Sequence, residues 1–286
     1  MTKSGIQTLK LDANQVAKFY ENMTDNSFFN LPLNSYLVIE YEKNGETKKT
    51  PPYLWDGKRF SEVRFKSFSS RHFGEIKPKN EDPYQIAFMD SLSRNQLTFC
   101  TGSAGSGKTL LSLAYAFQEY EKGRISKIVV FTNPWIAQSA VKLGFVPGDK
   151  IDKLLETSIG SVLISKLGSR TEVDRLIASE DLVIIPMGDC RGYEVPPNSF
   201  CFMTEAQNTN RYLMQLLLQR TAEDTKICIE GDIKQIDSDR FKRNANGLER
   251  AIEVFIGQDY AGHVHLNNIY RSKIVQKAEE ICELPE

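Results

Sequence analysis

The chain has 286 residues, of which 41% are hydrophobic and 10% aromatic, enough to build a sizeable core and unlike a disordered chain. Lys plus Arg is 36 and Asp plus Glu is 37, a formal net charge of −1, which argues against a coat-like nucleic-acid packer but leaves local basic grooves open. The N-terminus MTKSGIQTLK has no apolar signal core and no stretch approaches the ~18 apolar residues of a membrane span, so the expectation is a soluble, cytoplasmic protein with no membrane partner.

In chain order, a short helix is expected near residues 12–23. From about 33 to 66, strand-like pieces alternate with turn dipeptides: SYLVIEYE, Asn44-Gly45, PPYLW, Asp56-Gly57, RFSEVRF. Asn-Gly and Asp-Gly supply the positive φ angles of tight hairpins, so this part reads as a small antiparallel sheet. After residue 80 the rhythm changes. QLTFC (96–100), KIVVF (127–131), DLVII (181–185), SFCFM (199–203) and KICIE (226–230) are short apolar runs, with helical stretches such as TLLSLAYAFQEY (109–120) and RYLMQLLLQR (211–220) between them. That alternation implies a parallel sheet covered on both faces, an α/β fold. The expected division is 1–76, a helix and small β region, and 77–286, the α/β domain, with the polar segment 69–82 as hinge. Cys100, Cys201 and Cys228 sit inside apolar strand-like runs and read as small buried residues.

One stretch carries explicit chemistry. GSAGSGKT, residues 102–109, follows a strand-like run, opens a helical one and fits the P-loop pattern G-x-x-x-x-G-K-[ST]. Its glycines let backbone N–H groups of Gly102, Ser103, Ala104, Gly105, Ser106 and Gly107 converge on phosphate oxygens, and the helix N-terminus adds its positive end. Lys108 would neutralise the β and γ phosphates of ATP, and the Thr109 hydroxyl would ligate Mg²⁺.

Taken with other motifs in order, this loop resembles the PhoH-like family, phosphate-starvation-inducible ATPases related to superfamily 1 helicases. The resemblance runs over about residues 80–280: Gln85, GSAGSGKT, Gly144 to Asp149, Arg191-Gly192, Glu205-Ala206-Gln207-Asn208, Gly231-Asp232 with Gln235-Ile236-Asp237, and Arg271 in NNIYRSKIV. It implies a RecA-like P-loop NTPase core assembled as a homo-oligomeric ring, a hexamer, with ATP between neighbours and a role in unwinding or remodelling RNA, the expected partner being single-stranded RNA or other nucleic acid. It also implies that Gln85 reads adenine, Gln235 senses the γ phosphate and Arg271 assists in neutralising transition-state charge. Longer relatives carry a PIN-type nuclease domain at the front; with about 80 residues ahead of the ATPase, that domain is expected to be absent. Three positions depart from the family pattern: Asn133 and Tyr193 stand where it has arginine, and Thr204 where it has aspartate.

Thr204 is the departure that bears on chemistry. Glu205, ending an apolar strand about 100 residues past the P-loop, is the candidate to activate the attacking water. Taken alone it would read as a solvated strand-end carboxylate. Thr204 keeps a hydroxyl that could reach the metal through water but loses a charge worth about 1–2 kcal/mol, roughly a tenfold weaker hold. A slow ATPase is the leading expectation. Its rivals are an ATP-gated assembly module with little hydrolysis and a P-loop small-molecule kinase.

Residues 58–79 hold Lys58, Arg59, Arg64, Lys66, Arg71, Lys77 and Lys79 against Glu62 and Glu75, with Phe60, Phe65, Phe68 and Phe73 interleaved. Such a segment suits single-stranded nucleic acid if the rings are free to stack; otherwise it is a strand pair with core phenylalanines and solvated charges. His263 and His265 share a strand face but lack an identifiable third metal ligand.

Overall fold

The expected strand runs form a single parallel sheet. The computed structural model describes residues 5–132, 155, 158–236, 241, 245–270 and 277. Its central sheet comprises β8 (Leu97–Gly102), β9 (Lys127–Thr132), β10 (Leu182–Pro186), β11 (Ser199–Met203), β12 (Lys226–Gly231) and β13 (Ala261–Leu266), in the order β10-β9-β11-β12-β8-β13. All five neighbour pairs are parallel. β13 is the sixth member, at the edge beside β8.

Side chains alternate across each strand, and the helices divide accordingly. Ile128, Val130, Phe200, Phe202, Cys228 and Cys100 face one apolar cluster, shared with α2 (Pro83–Arg94), α3 (Lys108–Glu121), α4 (Ser158–Leu167) and α5 (Arg170–Ala178). Val129, Phe131, Cys201, Met203, Ile227 and Ile229 face the other, shared with α6 (Arg211–Leu218) and α7 (Gly247–Phe255). Apolar residues on both faces are what a doubly covered parallel sheet requires. Cys100, Cys190, Cys201 and Cys228 are buried free thiols.

The N-terminal region is built on β2 (Ser35–Lys43), which pairs antiparallel with β3 (Glu46–Lys49) across Asn44-Gly45 and with β4 (Tyr53–Trp55); β4 pairs with β5 (Phe60–Glu62) across Asp56-Gly57. The antiparallel expectation meets one exception: β1 (Ile6–Lys10) pairs parallel with β2. A parallel pair needs a crossover, supplied here by α1 (Ala13–Glu21). That helix starts at a capping box in which Gln15 N–H donates to Asp12 Oδ1 at 2.8 Å and Asp12 N–H to Gln15 Oε1 at 3.0 Å.

The segment expected as a hinge is structured. β6 (Phe68–Ser70) and β7 (Gly74–Ile76) form a hairpin against α3, with Ser69 N–H donating to Gln118 Oε1 at 2.9 Å. One apolar cluster runs across the boundary at residue 76, joining Tyr36, Val38 and Phe68 to Phe88 and Phe117. Buried Asn34 reinforces the junction by donating to Asn95 Oδ1 at 2.8 Å and to the Ala261 carbonyl at 2.7 Å.

Candidate active site

The loop between β8 and α3 is shaped by glycine. Gly102, Gly105 and Gly107 have φ of 144°, 85° and 101°, a region that disfavours L side chains. A Cβ on Gly102 would meet the Leu266 carbonyl oxygen of β13 at 2.6 Å, and one on Gly107 would meet Gln85 Nε2 at 2.9 Å. The loop is therefore wedged between the edge strand and α2. Gly107 caps α3 with no side-chain hydrogen bond, so the first backbone N–H groups of a fourteen-residue helix face the cleft as anion donors.

Lys108, Thr109, Thr204, Glu205 and Gln235 line one cavity of about 390 Å³, together with Ala104, Gly105, Gly107, Glu230, Asp232 and Tyr270. The sequence-predicted residues of loop, strand end and sensor position are thus brought to one place. Lys108 Nζ donates to the Gly102 and Ser103 carbonyls at 2.5 and 3.0 Å. Glu205 is exposed to the cleft in a left-handed conformation, φ 53°, an unusual state for a non-glycine residue. Its Oε2 accepts from Gln207 Nε2 at 2.7 Å, and Gln207 Oε1 accepts the Asp232 N–H at 3.0 Å. Buried Gln207 thereby ties the ends of β11 and β12 together.

Gln85 stands behind the loop. Its Oε1 accepts the Lys79 N–H at 2.8 Å and its Nε2 donates to the Ser106 carbonyl at 2.9 Å, so the amide ties the P-loop to the segment ahead of α2. Tyr270 was not singled out by the sequence. Its N–H donates to the Gly105 carbonyl at 3.0 Å and its hydroxyl to Asp82 Oδ2 at 2.6 Å, holding the loop from the cleft side. Arg271, Asn133, Asp237 and the segment 144–149 lie outside the described residues. Arg191 donates to the Tyr212 hydroxyl at 2.6 Å, and Tyr193 packs on Phe131.

Glu230 is the residue that sequence reasoning missed. It is the penultimate residue of β12, 4% exposed, and accepts a 2.5 Å hydrogen bond from Thr109 Oγ1. Burial pushes its carboxyl up to about 7, with the Glu205 charge adding to the rise and the Lys108 charge and the Thr109 hydrogen bond opposing it. The available signal was an acid closing an apolar strand, the same signal that singled out Glu205.

Three buried oxygens at the cleft have no hydrogen-bond partner among the described residues: Thr204 Oγ1, Glu230 Oε2 and Asp232 Oδ2. Buried polar atoms ordinarily find partners, and acceptor oxygens gathered beside a P-loop hydroxyl are the donor set a hard divalent cation takes. The residues therefore fit a magnesium–nucleotide complex, in which the loop N–H groups and Lys108 would hold phosphate and Thr109 the metal.

The basic segment follows, for its rings, the second of the two expectations. Lys58, Arg59, Arg64, Lys66, Arg71, Lys77 and Lys79 are exposed, but Phe60, Phe68 and Phe73 are buried and Phe65 packs on Phe68 at 4.9 Å. Apolar burial holds Phe60, Phe68 and Phe73 in the core, where they offer no stacking platform, and Phe65 is half-buried against it. His263 and His265 flank Thr101, whose Oγ1 lies 2.9 Å from one ring nitrogen of each, and they pin β13 to β8. Among the described residues no helix is long and apolar enough to cross a membrane.

The family model described as PhoH-like protein matches residues 75–283. The Protein PhoH2 of Bacillus subtilis (strain 168) is 31% identical over 221 residues, 75% of this chain and 49% of its own. The Protein PhoH of Escherichia coli (strain K12) is 30% identical over 219 residues, 73% of this chain and 58% of its own. The chain thus spans about half the length of the curated relatives it matches. Among solved structures, the Pif1 helicase from Candida albicans aligns over 73% of this chain and 44% of its own, with 16% identity and a TM-score of 0.38, a distance at which no function carries over.

Proposed function

Since this chain belongs to the PhoH-like family and has the cleft of a P-loop NTPase, we propose that it binds ATP with Mg²⁺ and hydrolyses it slowly, in a homo-oligomeric ring, a hexamer, that works on single-stranded RNA. The observation that carries this reading is the convergence of Lys108, Thr109, Glu205 and Gln235 on one cavity. The loop N–H groups and Lys108 hold the phosphates, and their positive charge offsets what develops on the γ phosphate. The metal, when bound, supplies further charge neutralisation on the phosphate oxygens. Glu205, held by Gln207 at the end of β11, orients the attacking water and takes its proton. Gln235 contacts the γ phosphate, and Arg271 answers the transition-state charge, from the same or a neighbouring subunit. Gln85 sets the loop from behind and presents this end of the cleft to adenine. The exposed lysines and arginines of 58–79 meet RNA phosphates without ring stacking.

A second reading has its own observation. Thr204, where an acid would hold the metal, favours an ATP-gated assembly module with little turnover. Phosphate release from ATP with Mg²⁺, with and without single-stranded RNA and with Lys108→Ala as blank, separates the two. Turnover above the blank that rises with RNA and falls about 10²–10⁴-fold in Glu205→Gln is the expected result. Tight ATP binding with release no faster than the blank would replace the motor with a nucleotide-gated scaffold.

A further inference from the structure

Strand order places an acid beside the P-loop hydroxyl from a direction the motif does not announce. β12 lies between β11 and β8, and Met203 pairs with Ile229. The next residues on these strands, Thr204 and Glu230, therefore stand side by side at the strand ends. Glu230 is on the strand adjacent to β8, opposite Cys100, and so lies one strand nearer the start of α3. Its Oε1 accepts a hydrogen bond from the Thr109 hydroxyl at 2.5 Å. Its Oε2 and the Thr204 hydroxyl are buried and have no partner among the described residues, and both residues line the same cleft.

We propose that Glu230 is the metal-anchoring carboxylate of this site, taking from β12 the part that residue 204 cannot play from β11. The proposal rests on the reading of the cleft as a magnesium–nucleotide site. A hydroxyl that ligates a cation through its oxygen must point its hydrogen elsewhere, and Glu230 Oε1 accepts that hydrogen bond and fixes the rotamer. Such a partner sets how well the ligand itself binds. Glu230 Oε2 then supplies the negative oxygen, directly or through a water shared with Thr204. Among the described residues no three His, Cys, Asp or Glu cluster to hold a metal by themselves. That is the ordinary situation for Mg²⁺, which takes one or two carboxylates and completes its shell with phosphate oxygens and water. Thr204 and Glu230 thus exchange the neutral and charged positions between neighbouring strands, and the site keeps its charge.

The test uses the full chain, Mn²⁺ as a magnetic stand-in for Mg²⁺, and a non-hydrolysable ATP analogue. Analogue affinity is measured with Mn²⁺ and with EDTA, and bound Mn²⁺ is counted by its electron paramagnetic resonance signal. Wild type should bind the analogue more tightly with metal. Glu230→Gln, which keeps shape and an acceptor for Thr109, should lose roughly ten- to a hundredfold in Mn²⁺ affinity while its affinity in EDTA and its thermal midpoint are retained. Thr204→Val should lose less than about tenfold. The double variant Thr204→Asp with Glu230→Thr, which returns the acid to β11, should recover most of the metal binding. Wild-type Mn²⁺ affinity in Glu230→Gln, or a larger loss in Thr204→Val, would overturn the assignment while leaving the nucleotide site standing. No analogue binding by wild type, with or without metal, would remove the nucleotide reading and this assignment with it.

Discussion

Thr109 Oγ1 donates to Glu230 Oε1 at 2.5 Å, linking the first turn of α3 to the end of β12. Glu230 has no other hydrogen-bond partner among the described residues for its second oxygen, so this bond is its sole tie there. Thr109→Ala should cost about 1–3 kcal/mol in urea unfolding without metal or nucleotide, because it strands a buried acceptor. Thr109→Ser keeps the hydroxyl and should lose much less. Equal midpoints for alanine and serine would mean that the hydrogen bond carries no net stability.

Three of the positive-φ glycines around α3, Gly102, Gly107 and Gly123, should rank by what a methyl would strike. Gly102→Ala drives Cβ into the fixed Leu266 carbonyl at 2.6 Å and should cost about 2–4 kcal/mol. Gly107→Ala meets the movable end of Gln85 at 2.9 Å and should cost about 1–2 kcal/mol, with weaker nucleotide binding as the loop shifts. Gly123→Ala has nothing within 4 Å and should cost about 1 kcal/mol of backbone strain alone. Urea midpoints in a different order would contradict the packing of the loop against β13 and α2.

His263 is half-buried, and loss of hydration together with the neighbouring His265 charge lowers its pKa to about 3. The unfolded chain therefore takes up the proton first as pH falls through about 6.5. Stability is full above that value and drains as pH drops toward 3, a deficit of about 2 kcal/mol by pH 5. Urea midpoints at pH 7.5 and pH 5 should fall less in His263→Gln than in wild type. Identical falls would show that the histidine is charged in the folded chain.

Charge and ring in the 58–79 segment should separate cleanly. Replacing Lys58, Arg59 and Lys66 together by alanine should leave stability within about 0.5 kcal/mol. It should also reduce the salt slope of single-stranded RNA binding by about 2. Phe68→Ala should instead cost about 3–5 kcal/mol of stability. RNA affinity that depends on Phe68 at unchanged stability would return the rings to a stacking role.

Much of this was legible beforehand because it is encoded at short range. Asn44-Gly45 and Asp56-Gly57 each close a hairpin where expected, since positive φ is a property of the turn residues themselves. The helix expected over 109–120 runs Lys108–Glu121, and the five apolar runs are five strands. What the sequence left open or unread is what long-range packing decides. Phe60, Phe68 and Phe73 looked equally fit for core or surface, and β1 is too short and mixed to announce a parallel partner 30 residues away.

By itself the sequence determined the alternating elements, the P-loop conformation and the position of Glu205 at a strand end. Periodicity, turn chemistry and the glycine requirement act between residues close in the chain. Only the tertiary structure decided which strand ends become neighbours. The order β10-β9-β11-β12-β8-β13 inserts β12 beside the P-loop strand and sets Glu230 on a hydroxyl 121 residues away. The pairing of strands depends on the burial of whole faces, and no local pattern reports it.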